Sequence, residues 1–192
     1  MPPSRKISKD DVLTAAFQIV RKEGIDSLNA RYLADALECS TQPIFSCFEN
    51  MTQLKQAVFQ MAGDYHTAYF DKVNTGKNLF VNVGMAYIDF ALEEPHLFRL
   101  LFMSDMFGAE LGAYMQGDCN EHITGAVPER FFSDSPEMKS IFMDMWLYAH
   151  GIAALLVTNQ ITTERDEIKN MLQRVFLLLT KAENKEDDHG HR

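Results

Sequence analysis

The chain has 192 residues, 46% of them hydrophobic and 23% charged, so it can bury the core of one domain or of two small ones. Its net charge of −9 argues against a surface that is basic over the whole protein. Its three cysteines have no CxxC spacing, which argues against a disulfide framework and favours a reducing cytoplasm. The most apolar windows, near 97–103 and 152–157, are too short to cross a bilayer, so we expect no membrane partner.

The negative charge is concentrated in the carboxy-terminal two thirds of the chain. Residues 1–60 carry seven Lys or Arg and seven Asp or Glu, which leaves 11 basic and 20 acidic residues for 61–192. An acidic carboxy-terminal body need not approach phosphate groups. The overall acidity therefore does not exclude a nucleic-acid contact made by the amino-terminal third.

The first predicted helix spans Lys9–Glu23. Ser8 can cap its amino terminus, and Gly24 can end it because glycine tolerates the backbone conformation found after a helix. Apolar residues recur along it at the spacing of one helical face. We therefore expect this helix to pack its apolar face into an amino-terminal core.

The stretch Leu28–Leu54 predicts two short helices, a tight turn and the start of a third helix. Asn29 and Ser40 can cap the two short helices, and Asn50 with Gln53 can form a capping box for the third. Two such helices predict a helix-turn-helix, whose second helix can enter the DNA major groove. The expected core of this region contains Val12, Ala16, Ile19, Leu28, Leu33, Leu37, Ile44, Phe45 and Phe48.

The remaining chain predicts further helices and no strand. They are expected near 52–73, 79–92, 96–102, 107–116, 137–160 and 164–181. The fold class is therefore all-α, with about nine helices. The predicted domains are a helix-turn-helix domain at 1–55, a helical domain at 56–182, and a polar tail at 183–192.

Two sets of segments resemble a known family. The segments AAFQIVRKEG and LNARYLADALECS, the pair Phe45 and Phe48, and Asn50 to Leu54 occur in a fixed order with fixed gaps. Residues 8–59 thereby resemble the DNA-binding domain of the tetracycline-repressor (TetR) family of bacterial transcription regulators. Independently, AYIDFALEEPHLFRLLF followed by WLYAHG resembles the sensor domain of a tryptophan–histidine–glycine subgroup of that family.

The resemblance implies a set of DNA contacts around the second short helix. Gln42 would read a base directly, since its amide can pair bidentately with adenine, and Arg31 would contact a phosphate. The implied contact residues are Asn29, Arg31, Ser40, Thr41, Gln42, Pro43, Phe45, Ser46 and Cys47.

The chain departs from the family pattern in two places. Phe45 replaces the usual tyrosine, and Met51 replaces the usual lysine, so two phosphate contacts are missing. Each lost phosphate neutralisation should flatten the salt dependence of binding by roughly 0.9 in log–log slope.

The carboxy-terminal region is expected to hold a small-molecule effector of apolar or amphipathic character. The predicted lining consists of Tyr87, Phe98, Phe102, Met103, Met106, Trp146 and His150. An ordinary core filled with methionine explains the Met- and Phe-rich stretch equally well. The resemblance implies a homodimer formed by the last two helices, with an interface of Ile152, Leu155, Leu156, Ile168, Leu172, Val175, Phe176 and Leu179.

Motifs for catalysis and for metal or cofactor binding are absent from the sequence. There is no HExxH, GxSxG, P-loop or GxGxxG, and no Cys/His finger spacing, so we expect no enzyme activity, no metal and no cofactor. The sequence favours a ligand-responsive repressor that binds a palindromic double-stranded DNA operator as a homodimer. The alternative is a helical ligand-binding or interaction dimer without specific DNA binding, which the residues Phe45 and Met51 suggest.

Overall fold

The computed structural model describes residues 7–71, 73, 78–104 and 136–186, with the backbone alone at 136–139 and 182–186. These residues form eight α-helices and no strand, which confirms the all-α class. The helices are α1 (Lys9–Glu23), α2 (Ala30–Ala36), α3 (Gln42–Cys47), α4 (Met51–Phe70), α5 (Leu79–Glu93), α6 (Pro95–Phe102), α7 (Pro136–Val157) and α8 (Arg165–Glu186). The helix predicted near 107–116 and residue Met106 lie outside the described residues.

The chain divides into two compact units. One contains Met1–Tyr65 with His96–Ile123, and the other contains His66–Pro95 with Thr124–Arg192. Helix α4 therefore contributes residues to both units. This division groups most of α6 with the amino-terminal helices, whereas the domains predicted from the sequence place it in the carboxy-terminal domain; those domains remain a prediction.

Side-chain caps fix the starts of three helices in the first unit. The Ser8 hydroxyl accepts the Asp11 N–H at 3.1 Å, and the Asp11 carboxylate accepts the Ser8 N–H at 2.9 Å, a complete capping box. The Asn29 side chain accepts the Tyr32 N–H at 3.0 Å. The predicted caps Ser8 and Asn29 are confirmed.

The cap at the start of α4 is a variant of the predicted box. The Asn50 side chain accepts the Gln53 N–H at 2.9 Å, as predicted. The Gln53 side-chain oxygen accepts the N–H of Glu49 at 2.8 Å rather than that of Asn50. The predicted cap at Ser40 is wrong, because α3 starts one residue later and its N-cap is Thr41, whose side chain makes no capping bond.

Tight packing at Gly24 joins α1 to α6 within the first unit. Gly24 ends α1 with a φ of 87°, a conformation that L side chains rarely adopt. A Cβ built at Gly24 would lie 3.2 Å from Nδ1 of His96, at the start of α6. Glycine is therefore required here by the backbone conformation and by the neighbouring ring together.

Helix α5 is the centre of the second unit, where it packs against both α7 and α8. A Cβ at Gly84 would lie 3.2 Å from Leu172 of α8, so the two helices approach closely at that point. The rings of Phe80 and Phe176 stack with centroids 5.1 Å apart. Residue numbers on α8 fall as those on α5 rise along this contact, so the two helices are antiparallel.

Helix α7 contains a longer apolar window than was expected from the sequence. The window Ser140–Val157 spans 18 residues with a mean hydropathy of 1.5, which meets the length and composition of a membrane span. The expectation that the apolar windows are too short was therefore wrong for this helix. Within the chain, 44% of the window is buried, as in a core helix that packs on α5 and α8.

Replacement of Gly24 by alanine should destabilise the protein, because the new Cβ adds backbone strain and crowds His96. We expect Gly24→Ala to lower the free energy of unfolding by about 1–3 kcal/mol. The control is Gly63→Ala in α4, where a Cβ meets nothing within 4 Å, and alanine should stabilise the helix by about 0.5–1 kcal/mol. Urea unfolding measures both, and equal effects of the two substitutions would contradict the assignment.

Candidate functional sites

A compact turn joins α2 to α3 and sets the direction of α3. The N–H of Cys39 donates to the carbonyl of Ala34 at 3.0 Å, which closes the end of α2. Glu38 adopts a φ of 51°, in the left-handed region that favours glycine. The Thr41 carbonyl then accepts the N–H of Phe45 and opens α3. This helix–turn–helix arrangement confirms the local fold predicted for Leu28–Leu54.

Helix α3 has a buried side and a polar exposed side. Ile44 is fully buried and Phe48, which follows α3, is 2% exposed, so these two side chains anchor the helix in the core. Thr41, Gln42 and Ser46 are exposed. The Ser46 hydroxyl donates to the Gln42 carbonyl at 2.9 Å, whereas the Gln42 amide makes no hydrogen bond within the described part of the chain. The amide is therefore available to an external partner.

Phe45 does not belong to the core, contrary to the prediction. Its side chain is 47% exposed. It follows Ile44 by one residue, which turns it by about 100° around the helix, away from the side that Ile44 buries. A large ring that faces solvent beside Gln42 is therefore part of the exposed surface of α3. The other two predicted contact residues on this helix, Pro43 and Cys47, are half-buried.

The two predicted phosphate contacts in the α2 region differ in availability. The Asn29 side chain caps α2 and also donates to the carbonyl of Ser27 at 3.3 Å, so both ends of its amide are engaged. Arg31 is exposed, and it makes no hydrogen bond or ion pair with the described residues. Of the two, Arg31 has the side chain that can reach a phosphate without losing an internal bond.

Three of the predicted ligand residues form an aromatic cluster in the second unit. The Tyr87 hydroxyl and Nδ1 of His150 lie 2.9 Å apart, and the Trp146 and His150 rings stack with centroids 5.4 Å apart. Burial raises the pKa of Tyr87 well above its ordinary value, and the nearby Trp146 N–H opposes that shift. Burial also lowers the pKa of His150. All three side chains are therefore uncharged at neutral pH.

The space beside this cluster is small. The cavity measures about 10 Å³, which is close to the volume needed for one water molecule. Its other walls are apolar: Phe80, Val83, Gly84, Phe142, Met145 and Ala149. The described residues thus place Tyr87, Trp146 and His150 together without a ligand-sized cavity.

Three further predicted ligand residues, Phe98, Phe102 and Met103, lie on or just after α6, in the first unit. Phe98 and Phe102 are buried, with ring centroids 5.3 Å apart, whereas Met103 is 44% exposed. These residues are not part of the compact unit that holds the aromatic cluster. Their role in ligand binding stays a prediction.

A larger open groove, which was not predicted from the sequence, lies elsewhere in the second unit. Its volume is about 460 Å³, within the usual range of small-molecule sites. It is lined by the end of α4 and the segment just after it, by one side of α5 and by the start of α8: Tyr69, Val73, Asn82, Met85, Ala86, Asp89, Glu93, Arg165 and Lys169. The sequence signal was present, because two acidic residues of α5 and two basic residues of α8 are each spaced four apart.

The predicted dimer residues fall into two groups. Ile152, Ile168 and Leu172 are 5%, 2% and 0% exposed, so they pack inside the chain itself. Leu156, Val175, Phe176 and Leu179 are half-buried, and Leu155 is 38% exposed. The most exposed large apolar residues of α7 and α8 are instead Leu147, Leu177 and Leu178, at 44%, 54% and 68%.

The fold is that of TetR-family transcriptional regulators. A TetR-family regulator from Streptomyces coelicolor is 17% identical, with a TM-score of 0.68 over 94% of this chain and 86% of that one. A protein from Rhodococcus sp., described as a TetR-family transcriptional regulator, is 16% identical, with a TM-score of 0.57 over 89% and 97%. The multidrug binding protein EbrR, complexed with imidazole, is 12% identical, with a TM-score of 0.58 over 90% of each chain.

A family model identifies the chain more closely. The model described as "Tetracyclin repressor-like, C-terminal domain" matches residues 80–176, half of the chain. The chain therefore belongs to the TetR family, as the sequence resemblance implied. No curated protein sequence matches it. The assignment to the tryptophan–histidine–glycine subgroup stays a prediction.

The buried position of His150 predicts a pH dependence of stability. Its pKa is lower in the folded chain than the ordinary value of 6.5, so below that pH the unfolded chain binds the proton more readily. The free energy of unfolding should therefore fall as the pH drops from about 7.5 to about 5.5. In His150→Gln this fall should be smaller, as measured by urea unfolding at both pH values. An equally large fall in the variant would contradict this role of His150.

Proposed function

We propose that the protein is a homodimeric transcriptional repressor that binds a palindromic operator through α3 and is released by a small molecule. The observation that carries the proposal is the exposed side of α3, where the Gln42 amide, beside Thr41 and Phe45, bonds to none of the described residues. A glutamine at this place can pair with adenine in the major groove. Membership of the TetR family supports the same function. We assign the protein no catalytic role, and it would act in the cytoplasm, where its operator DNA lies.

The proposed phosphate contacts fit the described geometry in part. Arg31 carries an exposed guanidinium that pairs with none of the residues described, whereas Asn29 would hold α2 in place for docking. Phe45 exposes a ring without the hydroxyl expected at its position, and Met51 supplies no charge. We therefore expect a weaker dependence of operator affinity on salt than a chain with tyrosine and lysine at these places would have.

The proposed dimer uses the exposed side of α7 and α8. Leu147, Gly151 and Leu155 are spaced four apart and lie on one exposed side of α7. A Cβ at Gly151 would meet nothing within 4 Å, so a helix of a second copy can approach closely there. Leu177 and Leu178 expose further apolar surface on α8. A twofold dimer would present two copies of α3 to the two halves of a palindrome.

The proposed release mechanism is a shift between two populations of the dimer. An effector can release DNA only if it binds the conformer that misfits the operator more tightly than the conformer that fits it. EbrR is known in complexes with imidazole and with ethidium. We propose by analogy that this chain also takes a small organic effector, and that Tyr87, Trp146 and His150 contribute to its site after the cluster opens.

Replacement of Gln42 tests the proposed base contact. The operator is sought in the DNA upstream of the protein's own coding region, and affinity is compared with random duplex by fluorescence anisotropy. We expect Gln42→Ala to reduce the preference for the operator by about 1–3 kcal/mol. Gln56→Ala, which removes another exposed glutamine from α4, should leave it unchanged.

Two outcomes would contradict the proposed DNA contact. An unchanged preference in Gln42→Ala would reject the role of that residue. A wild-type protein that prefers no sequence over random duplex at low salt would reject the function and favour a helical dimer without specific DNA binding.

A charge placed on the exposed side of α7 tests the proposed dimer. We expect Leu147→Glu combined with Leu155→Glu to convert the dimer to a monomer of 21.9 kDa, because a buried unpaired carboxylate is costly at an apolar interface. Sedimentation equilibrium measures the mass. The control is Leu92→Glu on α5, where an equally exposed leucine lies outside α7 and α8. A double variant that stays dimeric would place the interface elsewhere.

A further inference from the structure

The open groove of the second unit carries charges of both signs. Asp89 and Glu93 lie on α5, Arg165 and Lys169 lie on α8, and Tyr69 closes the groove from the end of α4. We propose that this groove binds a small zwitterionic molecule, with its anionic group at Lys169 and its cationic group at Glu93. The site is separate from the aromatic cluster, and the proposal does not depend on the proposed operator binding.

Three internal hydrogen bonds, which join two pairs of residues, leave a defined pair of charges for a ligand. The Arg165 guanidinium donates to both oxygens of Asp89, with Nε 3.2 Å from Oδ1, so these two charges satisfy one another. The Tyr69 hydroxyl donates to Oε2 of Glu93 at 3.0 Å, which positions that carboxylate without neutralising it. Lys169 makes no hydrogen bond or ion pair with the residues that the structure describes. The uncompensated charges are thus the Lys169 ammonium and the Glu93 carboxylate.

The antiparallel packing of α5 and α8 places these two charges at opposite ends of the groove. Asp89 and Arg165 bond to each other and therefore lie at the same level along the two helices. Glu93 follows Asp89 by four residues on α5, and Lys169 follows Arg165 by four residues on the antiparallel helix. Their backbone positions are therefore roughly 12 Å apart along the helix axes, a distance that two flexible side chains shorten.

This arrangement favours a zwitterion over an ion of one sign. A simple anion at Lys169 would leave the Glu93 carboxylate uncompensated at the other end, and a simple cation at Glu93 would leave the Lys169 ammonium uncompensated. A molecule with one charge of each sign, separated by several bonds, satisfies both ends at once. The walls between the ends include Met85 and Ala86, which suit a short aliphatic linker.

The proposal is tested with 6-aminohexanoate, whose two charges are separated by a five-carbon chain. Hexanoate and hexylamine are matched probes that each keep one charge. Isothermal titration calorimetry on the full-length protein should give a dissociation constant for 6-aminohexanoate at least tenfold lower than for either single-charge probe.

Substitutions in and near the groove assign the binding to it. Lys169→Met and Glu93→Gln should each weaken binding of 6-aminohexanoate about tenfold. The exposed residues Lys181 and Glu167 lie on α8 outside the groove lining, so Lys181→Met and Glu167→Gln should leave binding unchanged. Trp146→Phe should also leave it unchanged, because the aromatic cluster is a different site. Circular dichroism verifies that each variant is folded.

Several results would overturn the proposal. The first is equal affinity for the three probes. The second is no detectable binding of either zwitterion, 6-aminohexanoate or the shorter 4-aminobutanoate. The third is unchanged binding of 6-aminohexanoate in Lys169→Met. Loss of binding in Trp146→Phe would assign the ligand to the aromatic cluster instead. None of these results bears on operator affinity, so failure here and failure of the proposed function are distinguishable.

Discussion

The close approach of α5 to α8 at Gly84 is the constraint on which the second unit depends. With no side chain at residue 84, Leu172 packs directly against the backbone of α5 and the two helices lie antiparallel. One side of α5 then faces α7, where Tyr87 meets Trp146 and His150 without a charge. Another side carries Asp89, which pairs with Arg165 and lines the polar groove. One helix thereby separates an apolar region from a charged one.

In the first unit, the orientation of α3 depends more on local hydrogen bonds than on the few apolar side chains that the helix itself buries. The helix has only six residues, too few to be stable alone. It is held by the buried Ile44, by the preceding turn and by the neighbouring capped helices. A short helix that uses one side for anchoring exposes its other side, and the exposed side carries the Gln42 amide, which has no partner in the described part of the chain. The anchoring in the core and the proposed recognition of DNA thus use opposite sides of α3.

Features that depend on neighbours in the sequence were predictable, and features that depend on distant packing were less so. The bounds of α1 and the caps Ser8 and Asn29 came directly from residue type and spacing. Phe45 was misplaced because apolar character alone does not tell which side of a six-residue helix is buried. Ile168 and Leu172 were assigned to a dimer interface, yet both are buried within the chain and Leu172 lies against Gly84 of α5, since a terminal helix can pack on its own chain before it meets a second copy.

The sequence by itself determined the all-α class, the helix-turn-helix and the resemblance to the TetR family, because helical periodicity, capping residues and motif order are local properties. Only the tertiary structure decided that, among the described residues, the Tyr87 cluster leaves little space and the charged groove offers a larger one. Asp89 and Arg165 lie far apart in the chain, and their pairing requires the register of α5 on α8. That register is set by the volumes of the side chains on both helices, and chiefly by the lack of a side chain at Gly84, where Leu172 packs. Because the fit involves two distant segments, neither segment alone encodes it.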